Sequence, residues 1–395
     1  MVLAGGQGQR LYPLTKRCAK PALRFGGAYR IIDFTLSNCI NSGVRRIYVL
    51  AQYASTSLIR HIRQGWAPLL ADALGEFIEV VPPQRMATDQ WYAGTADAIY
   101  QNLIILQEEQ PEVVLLLSGD HAYKMDYRLM LQYHFEKEAV LTIACQPTPV
   151  AKAKHLGVMQ VDENGQVTRF LEKPAEPPEM PSKPGYSLVN MGVYVWSTRT
   201  LARYVAKDAT QPTSHDFGRD IIPAMVENGE RVFAYPFVKQ DTGEPAYWRD
   251  IGTLENFWES HMDLVATVPE LDLYDETWPL YTARGHFPPA KTALGESSRL
   301  IDSLICDGCV VSGGTVIRSV LAPCVRVEEG AEVVESVLFD GVVVGRNVRV
   351  WRAIIDEGHQ IPEGFTIGID KEADRRRFVV SEGGLTIVPA GAVLR

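Results

Sequence analysis

Val2-Leu3-Ala4-Gly5-Gly6-Gln7-Gly8-Gln9-Arg10-Leu11, followed by Lys16-Arg17-Cys18-Ala19-Lys20-Pro21, opens the chain and decides how the rest of it is read. A short apolar run enters a glycine-rich turn, and the turn hands over to fixed positive charge. Between Met1 and Ile32 there is no acidic residue, while Arg10, Lys16, Arg17, Lys20, Arg24 and Arg30 supply six cations. Glycines let backbone N–H groups approach a ligand closely, and cations neutralise a polyanion. The stretch reads as a phosphate cradle.

Two look-alikes fall away on spacing. A Walker loop needs Gly-Lys-Ser/Thr after four spacer residues, and a dinucleotide fingerprint needs a third glycine where this chain has Leu11. The bland alternative is a tight turn with solvated basic residues; the acid-free window favours phosphate.

At 395 residues the chain is long enough for two domains or three. The net charge of −9 argues against a general nucleic-acid or membrane surface. Apolar runs such as 113–117 are far shorter than the roughly 20 residues a bilayer span needs. No charged-then-apolar leader precedes the first strand, and the six scattered cysteines fit a reduced, cytoplasmic protein. Cys306-x-x-Cys309 with Cys324 offers three zinc ligands without a fourth at finger-like spacing, so small residues in a repetitive β region is the simpler reading.

Over the first two-thirds, short apolar strands alternate with helical patterns. Segments 2–4, 46–51, 113–117 and 140–145 read as strands, with helices over 33–42 and 96–108. That alternation implies a mostly parallel sheet, whose ligands lie beyond the C-terminal strand ends, where Gly5, Gln52 and Gly119-Asp120 fall. Segments 158–161, 167–170 and 191–196 read as β additions over that crevice. Residues 257–267 read as a helix and 279–289 as an irregular connector.

From Ser297 a hexad period takes over. Ile305, Val311 and Ile317 are six apart, as are Leu321, Val327 and Val333; Leu338, Val344 and Val350; and Ile355, Ile361 and Ile367. Triplets of hexads in coils of 16 or 17 residues specify a three-sided parallel β-helix with one inward aliphatic per side. The expected division is a catalytic α/β domain over 1–256, a connector over 257–296 and a β-helix over 297–395.

Asp120 follows a buried apolar run, and Asp250 lies in Tyr247-Trp248-Arg249-Asp250-Ile251-Gly252-Thr253. Each alone is as readily a cap or loop residue. As a pair at one sheet edge they suit Mg²⁺, which takes oxygen ligands and bridges protein to phosphate. Glu172-Lys173-Pro174 offers a point charge for a phosphate and an acceptor for sugar hydroxyls, or simply a surface ion pair. Trp91-Tyr92-Ala93-Gly94-Thr95-Ala96 takes a purine against its turn, aided by Gln52, or packs its aromatics beside a helix cap. This inventory suits nucleotidyl transfer: a sugar phosphate is already an anionic nucleophile, so alignment and charge neutralisation suffice.

These motifs together resemble the bacterial glucose-1-phosphate adenylyltransferases over essentially the whole chain. Leu3-Ala4-Gly5-Gly6-x-Gly8-x-Arg10-Leu11, Lys20-Pro21 and Glu172-Lys173-Pro174 are shared by sugar nucleotidyltransferases generally. Arg30-Ile31-Ile32-Asp33-Phe34, Gln90-Trp91-Tyr92-x-Gly94-Thr95-Ala96-Asp97-Ala98, Ser214-His215-Asp216-Phe217-Gly218 and Trp248-Arg249-Asp250-x-Gly252-Thr253 belong to the adenylyltransferase branch. The resemblance implies a Rossmann-like catalytic domain, a C-terminal left-handed parallel β-helix and a homotetramer. It implies adenylyl transfer from ATP to α-D-glucose 1-phosphate for glycogen synthesis, with Asp120 and Asp250 on Mg²⁺ beside Arg10 and Lys20. Glucose 1-phosphate falls to Tyr92, Gly157, Glu172, Lys173 and Asn190, the triphosphate to Gly5, Gly6, Gly8, Arg10 and Lys20, and adenine to Gln52, Gly94, Thr95 and Ala96. Arg17, Arg24 and Arg30 match an effector site between the domains, binding sugar phosphates or AMP. Departures are Asn190 for the usual Ser, Glu357 for a usual Arg, and a start some ten to twenty residues later than in most members, which implies a shortened first strand. The alternatives are a non-catalytic paralogue, which would not need Arg10, Lys20, Asp120, Lys173 and Asp250 together, and a thymidylyl- or uridylyltransferase.

Overall fold

The computed structural model of the chain describes residues 1–83, 91–294 and 297–394. The motif residue Gln90, positions 295–296 at the end of the expected connector, and Arg395 lie outside the described residues.

A nine-stranded sheet carries the N-terminal part. At its centre β1 (Val2–Ala4) runs parallel to β2 (Arg46–Ala51), which pairs onward with β3 (Phe77–Val81), and on its other side to β4 (Val113–Ser118). Val2 and Ala4 are buried, as a central strand covered on both faces requires. One covering layer contains α1 (Ile31–Asn41) and α2 (Ser55–Gly65); the other contains α3 (Thr95–Tyr100) and α4 (Leu103–Glu109). Successive residues of β4 serve the two layers, Leu116 packing with α3 and Leu117 with α1.

The helix expected over 96–108 is broken at Gln101-Asn102. Asn102 is fully buried, and its amide donates to the Ala98 carbonyl (2.8 Å) and the Tyr92 hydroxyl (3.0 Å), which pins the break.

Beyond β4, the short β5 (His121–Tyr123) leaves the sheet, and β6 (Leu141–Pro149), β7 (Gly157–Val161) and β8 (Val167–Glu172) follow. β9 (Tyr186–Ser197) is longer than the expected 191–196 and pairs antiparallel with β4, β6 and β7. β10 (Val232–Pro236) runs parallel to β6. All strands of this sheet except β8 and β9 therefore run in one direction. β11 (Trp248–Asp250) pairs with β5 and sets Asp250 opposite His121.

The helix expected over 257–267 is α5 (Leu254–Leu264), capped by Thr253, whose hydroxyl accepts from Asn256 N at 3.1 Å. Its apolar face, with Leu254 and Phe257, packs on Val320, Val337, Phe339 and Ile354. α5 thus joins the two halves.

Three sheets, parallel except for the antiparallel edge strand Val379–Val380, form the C-terminal solenoid, the first beginning at Lys291–Ala293. Ile305, Leu321, Leu338 and Ile355 stack in one ladder, and Val311, Val327, Val344 and Ile361 in another. On the third side the expected Ile317 is corrected: Val316, fully buried, stacks on Val333, Val350 and Ile367, while Ile317 pairs with Val334 and faces outward. Gly313-Gly314 turns the chain one residue early there, and a one-residue slip in a strand exchanges inside for outside. No helix among the described residues is long and apolar enough to cross a membrane.

Candidate active site

The strand ends bring the cradle and both carboxylates together. β1 releases the chain at Gly5, and β4 releases it at Gly119-Asp120. Gly8 adopts a left-handed φ of +62°, and a Cβ there would lie 2.8 Å from Thr15 Cγ2 and 3.1 Å from Lys20 Cβ. Only glycine both makes this turn and lets Lys20 approach. Gly6, by contrast, is exposed with open space where a side chain would stand.

Lys20 is buried, and its Nζ lies 2.5 Å from Asp120 Oδ2 and 3.6 Å from Asp250 Oδ1. Burial alone would lower the ammonium pKa, but the two carboxylates outweigh it and raise it. Burial likewise works to raise the Asp120 carboxyl, while Lys20, His121 and the Ser118 hydroxyl (2.5 Å from Oδ1) hold it well below the usual carboxylate range. Two carboxylates that already face one ammonium between them are a donor set fit for a divalent metal ion. Asp120, His121 and Asp250 offer atoms within 4.8 Å of one another, the one such group among the described residues.

Arg10, Lys20, Asp120, Asp250, Thr95, Gly157, Glu172, Lys173 and Asn190 line one cavity of roughly 240 Å³. Glu172 stands between two glycines: a Cβ on Gly157 would lie 2.9 Å from its Oε2, and one on Gly218 would lie 2.6 Å away. Lys173, at a left-handed φ of 49°, reaches back to Glu172 Oε1 at 2.6 Å. Asn190 is engaged at both ends, donating to the Tyr194 hydroxyl (2.7 Å) and accepting from Gly192 N (2.9 Å). It shapes the irregular stretch of β9, while its second Nδ2–H and a further lone pair on Oδ1 remain for a ligand in the cavity it lines.

Other expected residues stand apart. Tyr92, Gly5, Gly6, Gly8, Gln52, Gly94 and Ala96 are not in that lining. Tyr92 accepts from Asn102 at its hydroxyl, and Gln52 Oε1 accepts from Tyr92 N at 2.8 Å. Gly94 and Ala96 abut the 214–217 loop, Ala96 N donating to the His215 carbonyl at 2.8 Å. Asp216 caps that loop, its Oδ1 accepting from Gly218 N and Arg219 N. Sequence reasoning gave Asp216, Gly218 and His121 no role; the Ser-His-Asp-Phe-Gly motif was the signal for the first two.

A nucleotidyl transferase family model matches residues 1–267, and a GlmU-like C-terminal hexapeptide model matches residues 288–388. The glucose-1-phosphate adenylyltransferase of Methylococcus capsulatus is 48% identical over 392 residues, covering 98% of this chain and 92% of the relative. That of Hydrogenovibrio crunogenus is 49% identical over 393 residues, and that of Nitrosococcus oceani 47% over 392, with the same coverage. The chain belongs to the glucose-1-phosphate adenylyltransferase family. The match to a hexapeptide model and the stacked parallel strands make the solenoid a left-handed β-helix.

In this adenylyltransferase the expected effector arginines divide. Arg24 and Arg30 line a cavity of roughly 580 Å³ between the two halves, joined by Arg60 and Arg284, which sequence reasoning missed. Arg24 is held bidentate by Asp340, Nε to Oδ2 at 2.8 Å and Nη2 to Oδ1 at 2.6 Å. Arg30 bonds the Ala22 carbonyl, has no partner for its buried Nε among the described residues, and has its pKa lowered by burial and by Arg24. Arg17 and Glu357 are exposed and are not in that lining.

Proposed function

We propose that this chain transfers the adenylyl group of ATP to α-D-glucose 1-phosphate, giving ADP-glucose and pyrophosphate for α-glucan synthesis. The observation that carries the reading is the Lys20–Asp120–Asp250 cluster opening into the cavity that also holds Glu172 and Lys173. A phosphate oxygen of the sugar phosphate attacks the α-phosphorus. The bond from that phosphorus to the bridging β-phosphate oxygen breaks, and pyrophosphate leaves with the electron pair. No proton needs removing from the nucleophile, so the site aligns and neutralises rather than acting as a base.

Lys173 meets the sugar's phosphate, and Glu172 accepts from hydroxyls of the ring. Gly5 to Gly8 admit the triphosphate to backbone N–H groups, with Arg10 and Lys20 countering its charge. Mg²⁺, which Asp120 and Asp250 would hold, supplies charge neutralisation along the triphosphate when bound. Gln52 and the 94–96 turn form the adenine side.

The same reading divides the chain into a catalytic unit (1–256), a connector (257–296) whose last strand, Lys291–Ala293, already pairs into the solenoid, and a β-helix unit (297–395), in a cytoplasmic homotetramer. Arg24 and Arg30, with Arg17 nearer the surface, bind a phosphorylated effector. Because Glu357 brings negative charge near Cys18 where relatives usually carry an Arg, inhibition by AMP is weakened or absent; strong inhibition by sub-millimolar AMP would overturn that.

Pyrophosphate release with each nucleoside triphosphate and glucose 1-phosphate tests the main reading. ATP should support turnover far above UTP and dTTP, and equal turnover with UTP would defeat it.

A further inference from the structure

Successive residues of a strand point to opposite sides, and β11 divides its side chains in that way. Trp248 and Asp250 line the cavity that also holds Glu172 and Lys173, whereas Tyr247 and Arg249 do not. Tyr247 and Arg249 turn instead to Asp263, near the C-terminal end of α5. Asp263 Oδ2 accepts from the Tyr247 hydroxyl at 2.9 Å and from Arg249 Nε at 3.0 Å, and Arg249 Nη2 lies 2.8 Å from the same oxygen. Three donor groups thus converge on one carboxylate oxygen. The start of the same helix adds a further tie, Asn256 Nδ2 donating to the Asp250 carbonyl at 3.3 Å. The helix is itself pinned to the solenoid. Trp258 Nε1 donates to the Glu335 carbonyl at 2.8 Å, and the Arg352 guanidinium lies over the indole, 4.6 Å from the ring centroid. Among the described residues β11 has only the equally short β5 as a sheet partner. A two-stranded ribbon is marginal by itself, so the place of β11 depends on its ties to α5.

We infer that Asp263 is a positioning residue for the transfer reaction: by anchoring Tyr247 and Arg249 to α5, it holds the alternate residues Trp248 and Asp250 in the wall of the sugar-phosphate cavity. The inference rests on the reading of that cavity as the glucose 1-phosphate site. Asp263 is not in the cavity lining and acts only through the strand. A carboxylate suits the task because an arginine and a phenol both donate to it, and hydrogen bonds to a charged partner are roughly twice as strong as neutral ones. Without it β11 keeps its pairing to β5 but loses the anchor of every second side chain. A shift of about 1 Å in the two wall residues is enough to cost on the order of 100-fold in rate.

The test compares the full chain with Asp263→Ala and Asp263→Asn by steady-state kinetics and by hydrogen exchange of the 247–250 segment. Asp263→Ala should raise KM for glucose 1-phosphate and lower kcat, so that kcat/KM for this substrate falls roughly 10- to 100-fold while KM for ATP moves less. Asp263→Asn keeps an acceptor oxygen without the charge and should lose less than the alanine variant. Backbone amides of 248–250 should exchange at least about tenfold faster in Asp263→Ala. A variant that has lost only stability would contain less active enzyme and leave KM where it was, and that result would overturn the inference. Unchanged exchange over 247–250 in the folded variant would overturn it as well. If Asp263→Ala does not fold, Tyr247→Phe carries the test: it removes one of the three donors and keeps the ring, and an unmoved KM for glucose 1-phosphate there would equally refute the role. A wild-type chain that releases no pyrophosphate from ATP with glucose 1-phosphate defeats the functional reading instead, which separates that failure from the failure of Asp263.

Discussion

Gly94 offers a test in which geometry sets the size of the effect. Its φ of −161° and ψ of −176° are ordinary extended backbone, so alanine is not excluded by its dihedrals. Space excludes it. An added Cβ would lie 2.5 Å from Ser214 O and 2.6 Å from His215 C, and closer still to His215 O, all backbone atoms that cannot rotate away. Cβ contacts below 3.0 Å essentially do not occur, so the 214–215 segment must withdraw by at least 0.5 Å. Withdrawal stretches the bond from Ala96 N to the His215 carbonyl and disturbs Thr95 Oγ1, which accepts from Phe217 N at 3.0 Å. One weakened hydrogen bond costs about 1 kcal/mol and overpacking about 1–3, so Gly94→Ala should lose roughly 2–4 kcal/mol of stability. The same movement carries Gly218 away from Glu172. Since about 1 Å of misplacement costs on the order of 100-fold, kcat/KM for glucose 1-phosphate should fall roughly 10- to 100-fold. Urea unfolding and steady-state kinetics with each substrate varied in turn measure both. A variant as stable as wild type would refute the steric argument. Loss of ATP affinity with an unmoved KM for glucose 1-phosphate would instead show that Gly94 serves the nucleotide directly.

Gly6 and Gly8 should separate binding from folding. Gly6→Ala meets nothing within 4 Å, so it should unfold like wild type but raise KM for ATP, whereas Gly8→Ala, strained at +62° and crowding Thr15, should lose about 1–3 kcal/mol in urea. Lys173→Gln should raise KM for glucose 1-phosphate with little change for ATP; equal weakening of both substrates would remove Lys173 from the sugar-phosphate site. His261 gives a pH signature. Fully buried, it accepts from Gly26 N at 3.2 Å and bonds the Phe257 carbonyl at 2.8 Å; burial pushes its pKa down from 6.5 to about 4, the Phe257 bond working the other way. The unfolded chain therefore takes up this proton first, and stability present above pH 6.5 should be lost between 6.5 and about 4, by about 3 kcal/mol at most. Unfolding free energies of wild type and His261→Gln across that window should show a shallower slope in the variant.

Local pattern carried a good deal of this protein. The acid-free glycine turn announced an anion site because strand, turn and cations are consecutive. The hexad period announced the solenoid because each coil repeats the same inward positions. Residue type and neighbours cannot report what lies across space. Asp120 and Asp250 were legible as a pair of candidate metal ligands, but not their shared contact with Lys20; the pairing of β5 with β11 brings them to one ammonium. Arg60 and Arg284 carry no motif and join Arg24 and Arg30 only where the two halves meet. The bonds that tie Asn190 to Tyr194 and Gly192 within its own strand were not legible, and Ile317 looked like core until Val316 was seen to point inward. The sequence by itself determined the two architectures and the family of chemistry, since both are written in short-range order. The partners of each side chain and the reason Gly94 and Gly218 must lack side chains were decided only by tertiary structure, because they depend on atoms distant along the chain, Ser214 and His215 for Gly94 and Glu172 for Gly218.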